Sequence, residues 1–204
     1  GEQDINAEGC CTGKYISQGG IAGRTESTGL GVYYGLRELM NNHASFYEKI
    51  GLPKGLKDRT FVMQGFGNVG FWAAKFFHGD GAKITTIVEF NSAIHNPAGF
   101  NPDDAKKWFS EKGTFAGYPH AKEIELKNPL AFMEKECDFL VPAAIEKSIH
   151  NGNADKLRCK AVVEGANGPT TFAAEEMLHA KGIVVCPDLL MNGGGVTVSY
   201  FEWL

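Results

Sequence analysis

Three glycines and one acidic residue have the types and spacing of a dinucleotide-binding site. Gly65, Gly67 and Gly70 fit the pattern G-x-G-x-x-G, and Glu89 follows the next apolar run. The first glycine of this pattern permits a tight turn, the second lets a pyrophosphate approach the backbone, and the third lets a helix pack against a strand. A carboxylate after the next strand can accept hydrogen bonds from ribose hydroxyls. Because the chain has 26 glycines, the alternative is a glycine-rich turn beside an exposed glutamate.

The segments around these residues favour the dinucleotide interpretation. Residues 60–63 are a short apolar run typical of a buried strand, and residues 71–77 are compatible with a helix. Residues 84–88 predict the next strand and end directly before Glu89. Strand, turn, helix, strand and acid therefore occur in the order that the motif requires. The start of the helix would offer free N–H groups to phosphates.

Polar residues in three other places could hydrogen-bond a ligand. Asn167 and Asn192 each lie in a glycine-rich loop just past a predicted strand. An amide group both donates and accepts, which suits a carboxamide such as nicotinamide or a ribose. Each Asn-Gly pair can equally serve only to turn the chain. Thr28 has a similar double interpretation, as the N-cap of a helix over residues 29–43 or as a donor to a cofactor.

Arg24 and Ser199 are candidates for binding a substrate carboxylate. A guanidinium group can bind a carboxylate through two hydrogen bonds, although Arg24 can also simply be solvated. Ser199 lies on the last predicted helix, close to a glycine-rich loop at residues 193–195, and can instead be an isolated helix serine. The chain contains no G-x-S-x-G, C-x-x-C or H-E-x-x-H motif. We therefore predict no nucleophile and no metal site.

Five short apolar runs predict an α/β fold. Residues 138–141, 161–163 and 183–186 add three strands to the two described above, and helical stretches separate them. This alternation is typical of a Rossmann-type, doubly wound and mostly parallel sheet with helices on both faces. Ligands bind outside the carboxyl ends of such strands. We therefore expect one crevice formed by the loops 64–70, 89–92, 142–144, 164–169 and 187–195.

Two further segments have clear local signals. Residues 91–100 contain the turn sequence Asn-Pro-Ala-Gly and are expected to form a hairpin or a loop. Asn101 followed by Pro102 and two aspartates predicts the start of a helix. Residues 171–181 predict another helix.

Composition excludes several classes of partner. A net charge of −4 without basic runs argues against nucleic acid and anionic membranes. No apolar stretch approaches the roughly 20 residues of a membrane span. The five cysteines are odd in number and include no C-x-x-C, which indicates reduced thiols in a reducing compartment. Because the chain begins without methionine and ends within an amphipathic run, we expect it to be part of a longer protein.

Five segments, taken together, match one family pattern. They are residues 17–21, 23–29, 64–70, 164–170 and 194–203. In this order, and over nearly the whole chain, they resemble glutamate dehydrogenase of the hexameric, mitochondrial type. The resemblance implies oxidative deamination of L-glutamate to 2-oxoglutarate and ammonia, with hydride transfer to NAD(P). It also implies a homohexamer in the mitochondrial matrix, with the cytoplasm as the alternative location.

The resemblance implies a role for each candidate residue. The pyrophosphate turn would consist of Gln64, Gly65, Phe66, Gly67, Asn68, Val69 and Gly70. The nicotinamide half would be lined by Thr28, Ala143, Ala144, Asn167 and Asn192. Glu89 would bind the adenosine ribose, and Ser199 and Arg24 would lie on the substrate side.

The same resemblance accounts for the lack of a catalytic constellation. In this family the catalytic lysine and acid belong to an N-terminal substrate domain, which would precede Gly1. Residues 1–204 would then be the dinucleotide-binding domain, with residues 1–20 as its lead-in, and no catalytic residue is expected in this chain.

Two departures from the family pattern carry expectations. Phe90 offers no cation to a 2′-phosphate, and Glu89 would repel one, so we expect NAD to be favoured over NADP. The family usually has alanine where Gly193 stands, so we expect a looser loop at residues 193–195. Two other functions remain open: a dehydrogenase for another amino acid, such as leucine or phenylalanine, and a non-catalytic nucleotide-binding module.

Overall fold

A seven-stranded sheet forms the centre of the computed structural model, which describes residues 7–204. The strands are β1 (Thr60–Gln64), β2 (Lys83–Val88), β3 (Ala93–Phe100), β4 (Glu123–Glu125), β5 (Phe139–Pro142), β6 (Ala161–Val163) and β7 (Val184–Cys186). Their order across the sheet is β4-β3-β2-β1-β5-β6-β7. The five strands β2, β1, β5, β6 and β7 are parallel, whereas β3 and β4 are antiparallel additions at one edge. The five predicted strands and the mostly parallel sheet are thereby confirmed.

Seven α-helices surround this sheet in the described part of the chain. They are α1 (Ser27–Asn42), α2 (Ala44–Lys49), α3 (Asn68–Gly79), α4 (Pro102–Lys112), α5 (Phe172–Ala180), α6 (Asp188–Met191) and α7 (Gly193–Trp203). Short 3-10 helices occur at Ala7–Cys10, Ile16–Gln18, Pro129–Glu134 and Ala154–Lys156. Residues 1–6 of the predicted lead-in lie outside the described residues. None of the described helices is long and apolar enough to cross a membrane.

Alternating side chains of the central strands fill two separate cores. Phe61 and Met63 of β1 are buried in the cluster that contains helices α1 and α3, whereas Val62 between them belongs to the other cluster. Leu178 of α5 packs in that second cluster. Successive side chains of a strand point to opposite faces, so both faces of the sheet are covered. The prediction of helices on both faces is confirmed.

Side-chain caps begin helices α4 and α5, both of which the sequence predicted. Asn101 accepts hydrogen bonds from the backbone N–H groups of Asp103 at 2.9 Å and Asp104 at 3.2 Å, directly before α4. Thr171 caps α5 by accepting from the Ala174 N–H. A side-chain oxygen at this position satisfies N–H groups that have no partner within the helix.

Three local expectations need correction or refinement. Residues 93–100 form strand β3, which pairs with β2 across a turn at residues 89–92, so the expected turn at residues 96–99 is wrong because these residues lie within the strand. Helix α1 begins at Ser27 after Glu26, so Thr28 lies inside the first turn and is not the N-cap. The expected loop at residues 193–195 is wrong as well, because α7 begins at Gly193. The two helices pack closely, because Gly31 of α1 approaches Gly194 of α7 and a Cβ on either glycine would contact the other helix.

Candidate functional site

The glycine turn after β1 has the geometry that each of its glycines predicts. Gly65 has a φ of +86°, a conformation that side chains other than glycine rarely adopt. A Cβ on Gly70 would overlap the carbonyl oxygen of Gly65, so only glycine lets α3 start this close to the turn. A Cβ on Gly67 would meet nothing within 4 Å. The turn is therefore closed at Gly65 and Gly70 and open to an approaching group at Gly67.

Glu89 lies next to this turn, as the sequence predicted. Its Oε1 accepts a hydrogen bond of 2.5 Å from the backbone N–H of Phe66. The Phe66 side chain is fully buried, so this residue presents only its backbone to a ligand. On the other side, the Nζ of Lys106 donates to the Phe66 carbonyl oxygen at 2.9 Å. The sequence analysis missed Lys106, because α4 reaches the turn only through tertiary packing.

A small apolar cavity of about 290 Å³ opens beside Glu89. Its lining residues are Gln64, Gly65, Val88, Glu89, Phe90, Leu130, Ala144 and Ile145. Gln64 is only 4% exposed, and its Oε1 has no hydrogen-bond partner within residues 7–204. A buried polar atom without a partner is costly, so this oxygen is fit to accept from a ligand N–H or O–H. The apolar walls of Phe90, Leu130 and Ile145 suit a planar base, and no sequence pattern predicted Leu130 or Ile145 at this site.

A second cavity of about 730 Å³ lies on the other side of the turn and also contacts Ala144. Its lining residues are Arg24, Thr28, Val69, Ala143, Ala144, Glu146, Gly165, Ala166, Asn167, Asn192, Gly195, Val196 and Ser199. The predicted nicotinamide-side and substrate-side residues thus come together, although they are spread over most of the chain. The two cavities together form the crevice at the carboxyl ends of the parallel strands.

Asn167 and Asn192 are bonded to each other within this second cavity. The Asn192 side-chain amide donates to the Asn167 Oδ1 at 2.6 Å. This bond leaves the Asn167 N–H groups and the Asn192 Oδ1 available for a ligand. A donor beside an acceptor complements a carboxamide, which has one of each. The two asparagine side chains therefore meet inside the cavity, a contact that turn formation alone does not require.

The buried carboxylate of Glu164 connects the segments that carry Asn167 and Asn192. Glu164, at the end of β6, is 6% exposed and accepts from the Asp188 backbone N–H at 3.0 Å. Asp188 in turn accepts from the Gly168 N–H at 2.8 Å. Burial raises the pKa of Glu164 above its ordinary value. These bonds connect the loop of Asn167 to the start of α6, the helix that precedes Asn192, and the sequence analysis did not identify them.

Arg24, Thr28 and Ser199 lie where α1 and α7 cross. The Arg24 Nε is buried and has no hydrogen-bond partner within residues 7–204, which leaves it able to bind an anionic group. The Thr28 hydroxyl lies against Gly195, where a Cβ would overlap it. Ser199 is partly exposed and faces the same cavity.

Asn68 does not line either cavity described above. Its side-chain amide donates to the backbone carbonyl of Thr25, in the segment that leads into α1. The side chain thus connects the start of α3 to that segment. A direct role of the Asn68 side chain toward a ligand stays a prediction.

Another cavity, of about 650 Å³, lies at the opposite edge of the sheet. Thr60, His95, Asp138 and Arg158 are among its lining residues, and none of the predicted site residues reaches it. It faces the amino ends of β1 and β5. In open α/β sheets ligands bind at the carboxyl ends, so the crevice around the glycine turn is the candidate site.

Comparisons with known proteins identify the family of the chain. The model of the glutamate/leucine/phenylalanine/valine dehydrogenase family matches residues 19–204. The chain is 49% identical over 201 residues to the mitochondrial glutamate dehydrogenase of Dictyostelium discoideum, covering 98% of this chain and 39% of that protein. It is 43% identical over 197 residues to the glutamate dehydrogenase of Thermotoga maritima, covering 96% and 44%.

Solved structures give the same result. The hetero-hexameric glutamate dehydrogenase of Thermus thermophilus superposes with a TM-score of 0.80 at 30% identity, covering 94% of this chain and 42% of that chain. Glutamate dehydrogenase of Plasmodium falciparum gives a TM-score of 0.76 at 27% identity, covering 94% and 41%. The chain spans less than half the length of the curated relatives that it matches. The resemblance to glutamate dehydrogenase is confirmed, and this chain belongs to the glutamate/leucine/phenylalanine/valine dehydrogenase family.

Proposed function

We propose that this chain is the dinucleotide-binding domain of an NAD-dependent glutamate dehydrogenase. One observation carries the proposal. The glycine turn lies between a cavity that contains Glu89 and a cavity that contains the Asn167–Asn192 pair, and Ala144 contacts both. An extended dinucleotide, with a base and ribose at each end and a pyrophosphate in the middle, matches this arrangement.

The adenosine half would be bound through the carboxylate of Glu89 and the side-chain oxygen of Gln64. Glu89 would accept hydrogen bonds from the ribose hydroxyls. Gln64 would supply its unpartnered Oε1 as an acceptor, and the apolar walls beside Phe90 would contact the base. The pyrophosphate would approach the backbone at Gly67 and the N–H groups at the start of α3, whose dipole favours a negative charge.

The nicotinamide half would be oriented by the asparagine pair. The free N–H groups of Asn167 would donate to the carboxamide oxygen, and the Asn192 Oδ1 would accept from the carboxamide N–H. A bound NAD supplies the acceptor for the hydride that leaves the substrate. The role of the chain is to hold the nicotinamide ring in one orientation at the open side of the cavity.

The substrate side would be completed by Arg24 and Ser199. A guanidinium with an unpartnered Nε and a partly exposed hydroxyl in one cavity suit a substrate carboxylate. This favours a substrate with a second carboxylate, L-glutamate or 2-oxoglutarate, over leucine or phenylalanine. Proton transfer would be carried out by residues outside this chain, so we assign no catalytic residue to it.

The cofactor preference follows from the end of β2. Glu89 would meet a 2′-phosphate with like charge, and the neighbouring Phe90 is 80% exposed and uncharged. We therefore propose that NAD binds more tightly than NADP, although one relative, from Halobacterium salinarum, is named NADP-specific. For the whole protein we propose a homohexamer in the mitochondrial matrix, with the cytoplasm as the alternative, and no nucleic-acid or membrane partner.

Calorimetric titration of the chain with NAD, together with an assay for glutamate-dependent NADH formation, tests the proposal. We expect binding without turnover. The matched variants are Gly67→Val and Gly79→Val, because a Cβ at either end of α3 meets nothing within 4 Å. Gly67→Val should abolish NAD binding by filling the approach to the backbone, whereas Gly79→Val should bind normally.

Two results would contradict this assignment. Equal binding by both variants, or no binding by the unaltered chain, would exclude a dinucleotide at the glycine turn. Turnover by the chain alone would show that its own residues transfer the proton. In that case it would be more than a binding module.

A further inference from the structure

Two adjacent cysteines near the start of the described chain form a solvent-exposed dithiol. Cys10 is the last residue of a 3-10 helix, Cys11 follows it outside any helix or strand, and both are exposed. The other cysteines of the chain are buried, and they are Cys137, Cys159 and Cys186. Burial raises the pKa of each of these three thiols, which keeps them in the unreactive protonated form. Thiol reactivity of the folded chain is therefore concentrated at the adjacent pair.

Helix α7 holds the chain on both sides of this dithiol. On one side, a Cβ on Gly9 would lie 3.2 Å from the indole Nε1 of Trp203, so the backbone packs against that ring. On the other side, the Glu202 carboxylate accepts a hydrogen bond of 2.8 Å from the backbone N–H of Gly13. It also accepts one of 3.0 Å from the backbone N–H of Lys14. The end of α7 thus fixes the position of the segment that contains the two cysteines.

The same contacts reach the dithiol itself. The Lys14 ammonium group forms an ion pair of 3.1 Å with Glu202 and donates to the Cys11 carbonyl oxygen at 2.8 Å. Adjacent Cα atoms are about 3.8 Å apart across a trans peptide, whereas a disulfide usually joins Cα atoms roughly 4.4–6.8 Å apart. A bond between the two sulfurs therefore requires a different backbone conformation at residues 10–11. That change would displace the N–H groups that Glu202 binds.

We propose that Cys10 and Cys11 are a reversible redox modification site, at which glutathione disulfide oxidises the dithiol to a disulfide and thereby loosens the contacts of Glu202. The thiolate of one cysteine attacks a sulfur of glutathione disulfide, which forms a mixed disulfide and releases one glutathione thiolate. The thiolate of the other cysteine then attacks the protein sulfur of this mixed disulfide and releases the second glutathione thiolate. The two protons lost by the cysteines go to the two glutathione thiolates. The chain thus loses two electrons, and glutathione disulfide gains them.

The strain of this disulfide makes the modification reversible. Strained or exposed disulfides are reduced more easily than structural ones. The dithiol is therefore the resting form in a reducing compartment, and the disulfide forms when the glutathione pool becomes oxidised. Because Glu202 binds the backbone in its reduced conformation, its contacts favour the dithiol and oppose oxidation.

The experiment equilibrates the chain with mixtures of glutathione disulfide and reduced glutathione and analyses the products by intact-mass and peptide mass spectrometry. We expect a disulfide between Cys10 and Cys11 that retains no glutathione. Cys10→Ser and Cys11→Ser should each stop at the mixed disulfide, because the second thiol is missing. Glu202→Gln should raise the equilibrium constant for oxidation roughly threefold, since it weakens the contacts that favour the dithiol. Glu176→Gln is the matched control and should leave this constant unchanged, because Glu176 is an exposed glutamate of α5.

Three results would overturn the inference. They are a final product that keeps glutathione, a dithiol that resists a large excess of glutathione disulfide, and an equilibrium constant that is equal in the unaltered chain and in Glu202→Gln. None of them bears on the proposed binding of NAD, because neither cysteine and no part of the Glu202 contacts lines the two cavities of the crevice.

Discussion

The two halves of the crevice are built in different ways. The adenosine half consists largely of one continuous stretch, the glycine turn of residues 64–70, with Glu89 at the end of the next strand. The nicotinamide half gathers residues from segments as distant as Arg24 and Ser199 around a cavity of about 730 Å³. The first half depends on the local conformation of a turn, and the second depends on the packing of α1 against α7 and on the bonds of Glu164. Substitutions should therefore affect the two halves by different routes.

The largest effect is expected from Gly70→Ala, which changes the conformation of the glycine turn in the first half. The new methyl group would overlap the Gly65 carbonyl and push α3 away from β1. We expect the free energy of unfolding to fall by about 1–3 kcal/mol. NAD binding should be lost at the same time. Urea unfolding and calorimetry measure both quantities, and normal stability with normal binding would show that the turn is not as tight as described.

Asn192→Ala should affect only the second half. The variant loses both its bond to Asn167 and its acceptor for the carboxamide, so NAD binding should weaken about tenfold, or about 1.4 kcal/mol. ADP-ribose, which lacks nicotinamide, should bind as before. Glu89→Gln is the complementary variant and should weaken both ligands. An equal loss of NAD and ADP-ribose in Asn192→Ala would mean that the two halves do not act separately.

The buried carboxyl group of Glu164, in the second half, should make the stability of the chain depend on pH. Burial raises the pKa of Glu164 above 4.5, so the folded chain binds this proton more tightly than the unfolded chain does. The resulting stabilisation is fully present below pH 4.5 and is lost as the pH rises through the folded-state pKa. Compared with Glu164→Gln, the unaltered chain should therefore lose stability as the pH rises from 4.5 through the folded-state pKa of Glu164. Urea unfolding of the two proteins at a series of pH values measures the difference in the free energy of unfolding, and a difference that does not change with pH would show that burial does not raise the pKa of Glu164.

The smallest effect, and a stabilising one, is expected from Gly193→Ala. A Cβ at this position meets nothing within 4 Å, and the residue begins α7 rather than lying in a loop. Alanine is a better helix former than glycine, so we expect a gain of about 0.5–1 kcal/mol in the free energy of unfolding. Gly194→Ala should destabilise instead, because its Cβ would overlap the Ser27 carbonyl oxygen. Thermal unfolding of the pair tests whether the α1–α7 contact is as close as described.

The two halves of the crevice also differ in how far the sequence predicts them. The glycine spacing, together with the order of strand, helix, strand and acid around it, located the glycine turn and Glu89, because a tight turn with a φ of +86° requires glycine and the requirement is local. Patterns also located the cap of α4, since Asn101 acts on N–H groups two or three residues away, and they located helix α5 but not its cap Thr171. They misplaced the start of α1 and assigned a loop to residues 193–195.

Only the tertiary structure decided the rest. The Asn167–Asn192 bond, the support from Glu164 and the approach of Lys106 to Phe66 all join residues that are far apart in the chain. The sequence marked both asparagines but could not distinguish a ligand-binding amide from a turn former, because Asn-Gly satisfies both roles. The decisive contacts arise when the carboxyl ends of β1, β5, β6 and β7 are brought side by side. The sequence by itself determined the sheet and the turn, since each rests on local conformation and burial, whereas the second half of the crevice exists only through long-range packing.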